Sequence, residues 1–355
     1  MYESSTKKSR ISISSFCNKK NLLAAVLIIS PPLAFFFSLT IGRYDYIPFR
    51  TVVDVVLSRY FDIEPYWDPI YDIVVFRLRI PRALLAMLIG AGLSVSGASF
   101  QGIFRNPLVS PHILGVATGS AFGGLFAMIL FNHPSLDLLF AIIFGFVALI
   151  LAHLMSRVRG GTPILMLVLA GVVVNAFFSA MIALVTYTAD PLYELPEVVF
   201  WLMGSLADAS YEKLDVVTVP ILVCIFVLYL LRWRINLLSL GDEDAQALGV
   251  RVERVKWLII TCVTVIVALC VSVSGVIGWV GLALPHIARM LVGPDHRVLI
   301  PTSISLGAVY LVIMDDIART LTPAEIPLGI LTAIIGAIIF GYLLKRTQGR
   351  GWVDS

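Results

Sequence analysis

The chain has 355 residues, of which 59% are hydrophobic and 14% are charged, and its formal net charge is +3. Soluble domains carry about 25% charged residues, so this composition excludes a water-soluble globular protein and indicates an integral membrane protein. The apolar runs are continuous and do not alternate with polar residues, which leaves α-helices as the spanning elements. We therefore predict an all-α polytopic membrane protein.

The apolar runs are the predicted membrane spans, because about 20 residues of helix cross the hydrocarbon core. A basic segment precedes the first run and no small-residue cleavage site follows it, so this run is predicted to be a span and not a cleaved signal. The eighth run is short and contains Pro285, so nine, ten or eleven crossings are compatible with the sequence. The ten runs are 22–42, 83–104, 113–130, 138–155, 164–186, 216–231, 257–276, 279–292, 299–317 and 328–344.

The distribution of lysine and arginine predicts the orientation. With both termini in the cytoplasm, the inner segments hold most of these residues, as the positive-inside rule requires. We expect cytoplasmic tails at residues 1–21 and 347–355 and a single transmembrane domain over residues 22–346. The chain contains no GxxxxGK[ST] motif, so it is not expected to bind a nucleotide through such a loop, and no nucleic-acid partner is expected.

A compact acidic segment follows the sixth span and, with this orientation, lies on the cytoplasmic face. Asp242, Glu243 and Asp244 occupy positions where a helix N-terminus favours negative charge. Gly249 suits a left-handed turn that ends the helix. One interpretation is a short rigid helix that fits a soluble partner, and the other is a solvated connector. The segment comprises Leu240, Gly241, Asp242, Glu243, Asp244, Ala245, Gln246, Ala247, Leu248 and Gly249.

Polar residues inside the spans are candidates for function. Asp315 and Asp316 end the ninth run, and Asp316 lies one helical turn before Arg319. These carboxylates form either a structural ion pair or the proton relay of an ion-coupled secondary transporter. Asn175, in the fifth run, either lines a path or bonds a neighbouring helix, and we favour the second interpretation. The five histidines are scattered and neither HExxH nor GxSxG occurs, so we predict no metal site and no catalytic site.

An internal echo suggests an inverted repeat. The tetrapeptide Ser-Val-Ser-Gly occurs at 94–97 and again at 272–275, and each copy is followed by Pro-His-Ile, at 111–113 and 285–287. The predicted topology runs the two spans in opposite directions, which is what an inverted repeat in a transporter gives. The spacing within the two copies differs, so chance explains the echo equally well.

A set of short motifs lies in a specific order between Arg79 and Arg346. This ordered set closely resembles the permease subunits of bacterial ATP-binding cassette (ABC) importers for iron–siderophore complexes, haem and cobalamin, the type II importers. Each motif alone is weak, but six in the expected order are specific. The motifs are Arg79-Ile80-Pro81-Arg82, Arg105-Asn106-Pro107-Leu108, Leu240-Gly241 with Leu248-Gly249-Val250, Gly278-Trp279-Val280-Gly281-Leu282, Pro285-His286-Ile287-Ala288-Arg289 and Glu325-Ile326-Pro327-Leu328-Gly329-Ile330.

The resemblance implies a ten-span fold like that of the cobalamin importer permease. It implies a homodimer, or a heterodimer with a related permease, in the bacterial cytoplasmic membrane. Two cytosolic ABC ATPases, which use ATP and Mg²⁺, would dock on the inner face, and a substrate-binding protein on the outer face. The chain would then be a transport subunit, not an enzyme, and would bind no cofactor itself. A ferric siderophore is the first expected cargo, and haem, cobalamin and molybdate are the alternatives.

The resemblance also implies roles for particular residues. The acidic segment 240–249 matches the coupling helix that fits a cleft of the ATPase. The outer arginines that hold the binding protein match Arg79, Arg82 and Arg319. The inner gate matches the turn between the fourth and fifth spans, which here comprises Gly160, Gly161, Thr162 and Pro163.

Overall fold

A computed structural model of the chain describes residues 4–42, 46–131, 133–158 and 162–347. These residues are mainly helical, as the sequence predicts. The helices are α1 (Ser4–Thr40), α2 (Phe49–Leu57), α3 (Ile70–Ile73), α4 (Ile80–Ile103), α5 (Val116–Phe131), α6 (Pro134–Ser156), α7 (Ile164–Thr188), α8 (Glu194–Leu202), α9 (Tyr211–Leu238), α10 (Asp242–Ala247), α11 (Val252–Ser274), α12 (Val280–Val292), α13 (His296–Thr320) and α14 (Leu328–Thr347).

Each of the ten predicted spans corresponds to an apolar helix. Seven helical stretches of the described residues are long and apolar enough to cross a membrane. The other three spans correspond to the shorter helices α5, α12 and α14. Helix α12 has 13 residues, or about 20 Å of helix, which is less than the hydrocarbon thickness of about 30 Å. Helix α12 by itself is therefore too short to cross the hydrocarbon core. The count of ten full crossings stays a prediction.

The second span begins earlier than the sequence predicts. Helix α3 continues through a π-helical turn, Val74–Arg79, directly into α4, so that one helical stretch covers Ile70–Ile103. The reason lies in Pro81, which has no N–H group to donate to the preceding turn. A π turn accommodates such a defect without ending the helix. The stretch thus carries Arg79 and Arg82 into the bundle, whereas Arg77 stays exposed.

Helices α4 and α11 form the centre of the bundle. Most of the apolar length of both helices is buried, whereas α1, α6, α7 and α9 expose most of theirs. Exposed apolar helices are what a lipid environment requires. Small residues allow the central helices to cross closely: a Cβ atom at Gly97 would lie 1.7 Å from the carbonyl oxygen of Gly281, in α12. Such contacts between small residues drive helix packing in membranes.

The internal echo falls at positions that are not equivalent. The first Ser-Val-Ser-Gly lies within α4, whereas the serines of the second end α11. Pro111 opens a short 3-10 helix, Pro111–Leu114, whereas Pro285 lies inside α12. The local structures differ, so the inverted repeat stays a prediction. The predicted tail boundary at residue 22 falls within α1, and residues 348–355 of the second tail lie outside the described residues.

Candidate functional site

The acidic segment forms a short helix with defined ends. Helix α10 begins after Gly241, whose φ is 138°, and the segment turns at Gly249, whose φ is 83°. Both angles lie in the region that favours glycine, so these two residues fix where the helix begins and where the chain turns away. The backbone N–H of Val250 donates to the carbonyl of Ala245 and closes the turn. The predicted helix and its glycine end are thus confirmed.

Helix α10 is fixed to the bundle on one face and exposed on the other. Ala245 is fully buried, whereas Leu248 is 60% exposed. The ammonium group of Lys256, in the first turns of α11, lies 2.5 Å from Asp242 Oδ2. Lys256 is buried whereas 40% of the Asp242 side chain is accessible, so the ion pair lies at the edge of the bundle and holds α10 against α11. The exposed face presents Leu240, Glu243, Asp244, Gln246, Ala247 and Leu248.

The predicted gate lies close to this helix. Gly160 and Gly161 lie outside the described residues. Pro163 immediately precedes α7, and its carbonyl accepts a hydrogen bond from the N–H of Leu167. Thr162 lines a narrow cleft together with Lys256, the same residue that pairs with α10. The structure therefore places the described part of the gate turn beside the anchor of α10.

The three predicted docking arginines lie at the opposite end of the bundle and are buried. Arg79, Arg82 and Arg319 are 3%, 9% and 5% exposed. Arg82 Nε lies 2.9 Å from Asp315 Oδ2, and Arg82 Nη1 and Nη2 each lie 3.0 Å from an oxygen of Glu325. The planar guanidinium thus holds two carboxylates at once, which arginine does better than lysine.

Arg319 occupies the adjoining part of the same network. It pairs with Asp316, one turn earlier in α13, and donates to Ser38 Oγ at 2.8 Å. Ser38 Oγ in turn donates to Asp316 Oδ1 at 2.6 Å. Arg79 Nη1 donates to the carbonyl of Leu39 at 2.7 Å, which ties the second span to the end of α1. The ion pair predicted between Asp316 and Arg319 is confirmed.

We call this set of residues the Arg82 network; it comprises Arg79, Arg82, Arg319, Asp315, Asp316, Glu325 and Ser38. Its three arginines are matched by three carboxylates, so the buried charge is balanced. Breaking a buried pair costs several kcal/mol, because it leaves a charge uncompensated. The network therefore joins α1, α4, α13 and the loop 321–327 into one rigid unit.

Sequence reasoning assigned no role to Glu325, Ser38 or Lys256. Glu325 belongs to a quoted motif, but its partner Arg82 is separated from it by 243 positions in the chain. Ser38 lies within an apolar run and carries no signal in the sequence. Lys256 immediately precedes the predicted span 257–276, and its sequence position gives no sign that it is buried.

Two further polar residues behave as structural groups. Asn175 accepts a hydrogen bond from the Thr118 hydroxyl at 2.9 Å, and its amide donates to the carbonyl of Ile113 at 3.3 Å. The predicted bond to a neighbouring helix is thus confirmed. The ring of His286 packs edge-on against Phe340 of α14, with ring centroids 5.9 Å apart.

Comparison with known proteins identifies the fold and the family. Residues 27–346 match the FecCD transport family. The chain is 46% identical over 316 residues to the molybdate import system permease protein MolB of Haemophilus influenzae, which covers 88% of this chain and 92% of that protein. It is 42% identical to a probable iron chelatin transport system permease protein of Helicobacter pylori, covering 78% and 84% of the two chains.

A solved structure agrees with these relatives. A structure presented as an inward-facing conformation of a metal-chelate type ABC transporter superposes with a TM-score of 0.82 at 42% identity, and covers 92% of this chain and 99% of its own. The sequence resemblance is therefore confirmed over nearly the whole chain. ATP hydrolysis in such transporters belongs to a separate subunit, so this chain is not an enzyme. The chain belongs to the FecCD transport family and is a multi-span permease subunit of an ABC importer.

Proposed function

We propose that this permease imports a ferric chelate, with a ferric siderophore as the first candidate. In this proposal two permease subunits, identical or related, form the path in the bacterial cytoplasmic membrane, with all termini in the cytoplasm. Two cytosolic ATPases use ATP and Mg²⁺, and an extracytoplasmic binding protein delivers the cargo. The observation that carries the ATP-driven mechanism is α10, a helix with one face anchored and the other exposed. The choice of a ferric chelate is supported by the similarity to an iron chelatin permease and to a metal-chelate type transporter.

The anchoring of α10 supports a role in coupling. A conformational change passes between subunits only through an element that moves as a unit. Helix α10 is held by the Asp242–Lys256 pair and by buried Ala245, so displacement of its exposed face would move the start of α11. Lys256 also borders the cleft that contains Thr162. In this proposal, closure of the ATPases pulls on α10, and the movement reaches the gate turn at residues 160–163 through Lys256.

Docking of the binding protein at Arg79, Arg82 and Arg319 requires an exchange of partners. Arg82 and Arg319 are already paired with carboxylates of this chain, so an incoming acidic residue gains little there unless it displaces one of them. Glu325 is the most exposed carboxylate of the Arg82 network, with 18% of its side chain accessible against 1% for Asp315. In this proposal, a carboxylate of the binding protein displaces Glu325 from Arg82.

In this proposal, the displacement of Glu325 is transmitted to the translocation path through α14. Glu325 lies in the loop that leads into α14. The N–H groups of Leu328 and Gly329 donate to the carbonyls of Gly204 and Met203, at the end of α8, at 2.8 and 3.0 Å. Release of Glu325 would let this loop move and act on the start of α14 and, through these two hydrogen bonds, on the end of α8. Docking and the position of these two helices would then be linked.

Molybdate is the second candidate cargo, favoured by the 46% identity to a permease named for molybdate import. The two cargoes are distinguished by ATPase activity of the reconstituted complex. We expect stimulation by the binding protein loaded with its own cargo, and less by the same protein when empty. The assay compares binding protein loaded with each candidate cargo in turn: ferric siderophore, molybdate, haem or cobalamin. Stimulation by molybdate and not by any iron chelate would replace the first candidate with the second.

The contacts of Asp315 and Asp316 argue against an ion-coupled secondary transporter. Asp315 is held by Arg82 and Asp316 by Arg319, and a carrier of protons must exchange its proton in every cycle. The pair is thus suited to a structural role, in keeping with an ABC permease whose energy comes from ATP.

A further inference from the structure

A groove opens between α9 and α13, at the end of the bundle that carries α10. It encloses about 390 Å³ and is lined by Tyr229, Leu230, Arg232, Trp233 and Arg297. Four of these residues belong to the last three turns of α9, and Arg297 lies in the first turn of α13. None of these lining residues belongs to α10 or to the Arg82 network, and the transport function assigns the groove no role.

Two arginines and two aromatic rings form the polar end of the groove. The guanidinium of Arg232 lies 3.8 Å above the centre of the Tyr229 ring, and that of Arg297 lies 4.9 Å from the centre of the Trp233 ring. Cation–π contacts of this kind hold a guanidinium in place while its edge remains available. Arg232 Nη1 is buried and has no hydrogen-bond partner among the described residues. An unpaired buried N–H donor is costly, which indicates a missing acceptor.

An apolar stripe leads from this polar end along α9. Its members are spaced three or four residues apart, so they share one face of the helix. All of them are more than half exposed except Trp233, which is 50% exposed, so no other helix covers this face within the described residues. From the first to the last member of the stripe, positions 219–233, the helix rises about 21 Å, the length of one leaflet with its headgroup region. The stripe consists of Val219, Leu222, Phe226, Leu230 and Trp233.

We propose that this groove binds one anionic phospholipid, with the phosphate at Arg232 and Arg297 and an acyl chain along the α9 stripe. Arginine is the preferred residue for phosphate, and basic pockets between membrane helices at the cytoplasmic side bind acidic headgroups. Tryptophan and tyrosine lie at the level of the headgroups in membrane proteins, which matches the place of Tyr229 and Trp233 at the end of α9. A zwitterionic lipid has the same acyl chains, but its headgroup carries no net negative charge and would bind the two arginines less strongly.

One carboxylate of this chain competes for the site. Asp295 pairs with Arg297, with Nη2 2.8 Å from Oδ2, and also accepts a hydrogen bond from Asn236. The hydrogen bonds from Arg297 hold the pKa of the Asp295 carboxyl below its ordinary value, so it is ionised at neutral pH. Within the described part of the chain Arg232 has no ion-pair partner, so it is the main phosphate ligand of the proposed site, and Arg297 is shared between Asp295 and the phosphate.

The test uses the full chain, purified in detergent and stripped of lipid, and measures its thermal unfolding midpoint. Phosphatidylglycerol is added and compared with phosphatidylcholine and with inorganic phosphate. We expect phosphatidylglycerol to raise the midpoint and the other two additions to raise it much less. Arg232→Gln should raise the phosphatidylglycerol concentration for half effect about fivefold, the value of one basic residue at a charged membrane surface.

Two variants control for misfolding. Arg234→Gln removes an exposed arginine of the same helix end that does not line the groove, and should leave the half-effect concentration unchanged. Asp295→Asn removes the competing charge but keeps an oxygen to cap α13, so it should lower that concentration. Equal effects of phosphatidylcholine or phosphate, or an equal loss in Arg234→Gln, would overturn the proposal. So would an Arg232→Gln variant that binds ATPase weakly but responds normally to phosphatidylglycerol, since the groove would then be a protein contact.

Discussion

At the scale of single residues, the Arg82 network determines what the outer arginines can do. A surface arginine attracts an acidic partner from a distance, but a buried and balanced one does so only after its own partner leaves. Glu325 is the partner most able to leave, because it lies on a loop and accepts its hydrogen bonds at the edge of the network.

Replacement of Glu325 by glutamine should therefore strengthen docking of the binding protein. The amide keeps the shape but removes the charge that competes at Arg82, and we expect affinity for the reconstituted transporter to rise about three- to tenfold at low salt, with the gain fading as salt screens the pair. Arg82→Gln should weaken docking, whereas Arg77→Gln, an exposed arginine of the same end, serves as the control. Unchanged affinity in both Glu325→Gln and Arg82→Gln would remove these arginines from the docking site.

Only part of this network was foreseeable. Asp316 and Arg319 are one turn apart on a predicted helix, so their pairing follows from helix geometry. Arg82 and Asp315 are separated by 233 positions, and only the tertiary packing of α4 against α13 brings them together. The burial of Arg79 and Arg82 was not foreseeable either, because a proline near a helix start usually marks the boundary, whereas here the helix continues N-terminally of Pro81 through a π turn.

At the scale of elements, helices were predicted well and their connections less well. Long apolar runs have one solution in lipid, so the spans follow directly from the sequence. The nine-residue helix α8 escaped prediction, because it is short, contains Pro196 and begins with polar residues. The bounds of α10 were foreseeable, since acidic residues and glycine mark its two ends.

The exposed face of α10 should carry the contact with the ATPase. Leu248→Glu places a charge where an apolar side chain would be buried, so uptake by the reconstituted complex should fall at least about tenfold, the effect of losing a central interface contact. Met290→Gln changes a residue of similar exposure at the same end of the bundle and should leave uptake near normal. Ala245 is unsuitable for this test, because it is fully buried and its replacement would disturb the fold. Normal uptake by Leu248→Glu would contradict the assignment.

The ion pair beneath α10 should be needed for coupling and not for assembly. Lys256→Met keeps most of the buried side-chain volume but releases Asp242, so α10 would no longer move with α11. We expect ATP hydrolysis to continue while uptake per ATP falls several-fold. The exchanged pair Asp242→Lys with Lys256→Asp should recover part of the coupling, which a purely structural defect would not. An unchanged ratio of uptake to hydrolysis in Lys256→Met would contradict this mechanism.

At the scale of the whole molecule, the two ends of the bundle differ in how their charged and exposed residues are arranged. One end carries a balanced and buried ionic network that joins α1, α4 and α13. The other end carries α10, with an anchored face and an exposed face. The central helices α4 and α11 connect the two ends through closely packed small residues, which is suited to movement as rigid segments.

The central claim is that ATP, used by separate subunits, drives this permease through α10. The direct measurement is uptake into proteoliposomes that contain the chain with its ATPases, with cargo-loaded binding protein on the outer face. The account predicts uptake that requires ATP in the lumen and binding protein outside, and that persists when the proton gradient is collapsed. Uptake by this chain alone, driven by a pH gradient in the absence of ATP, would contradict it.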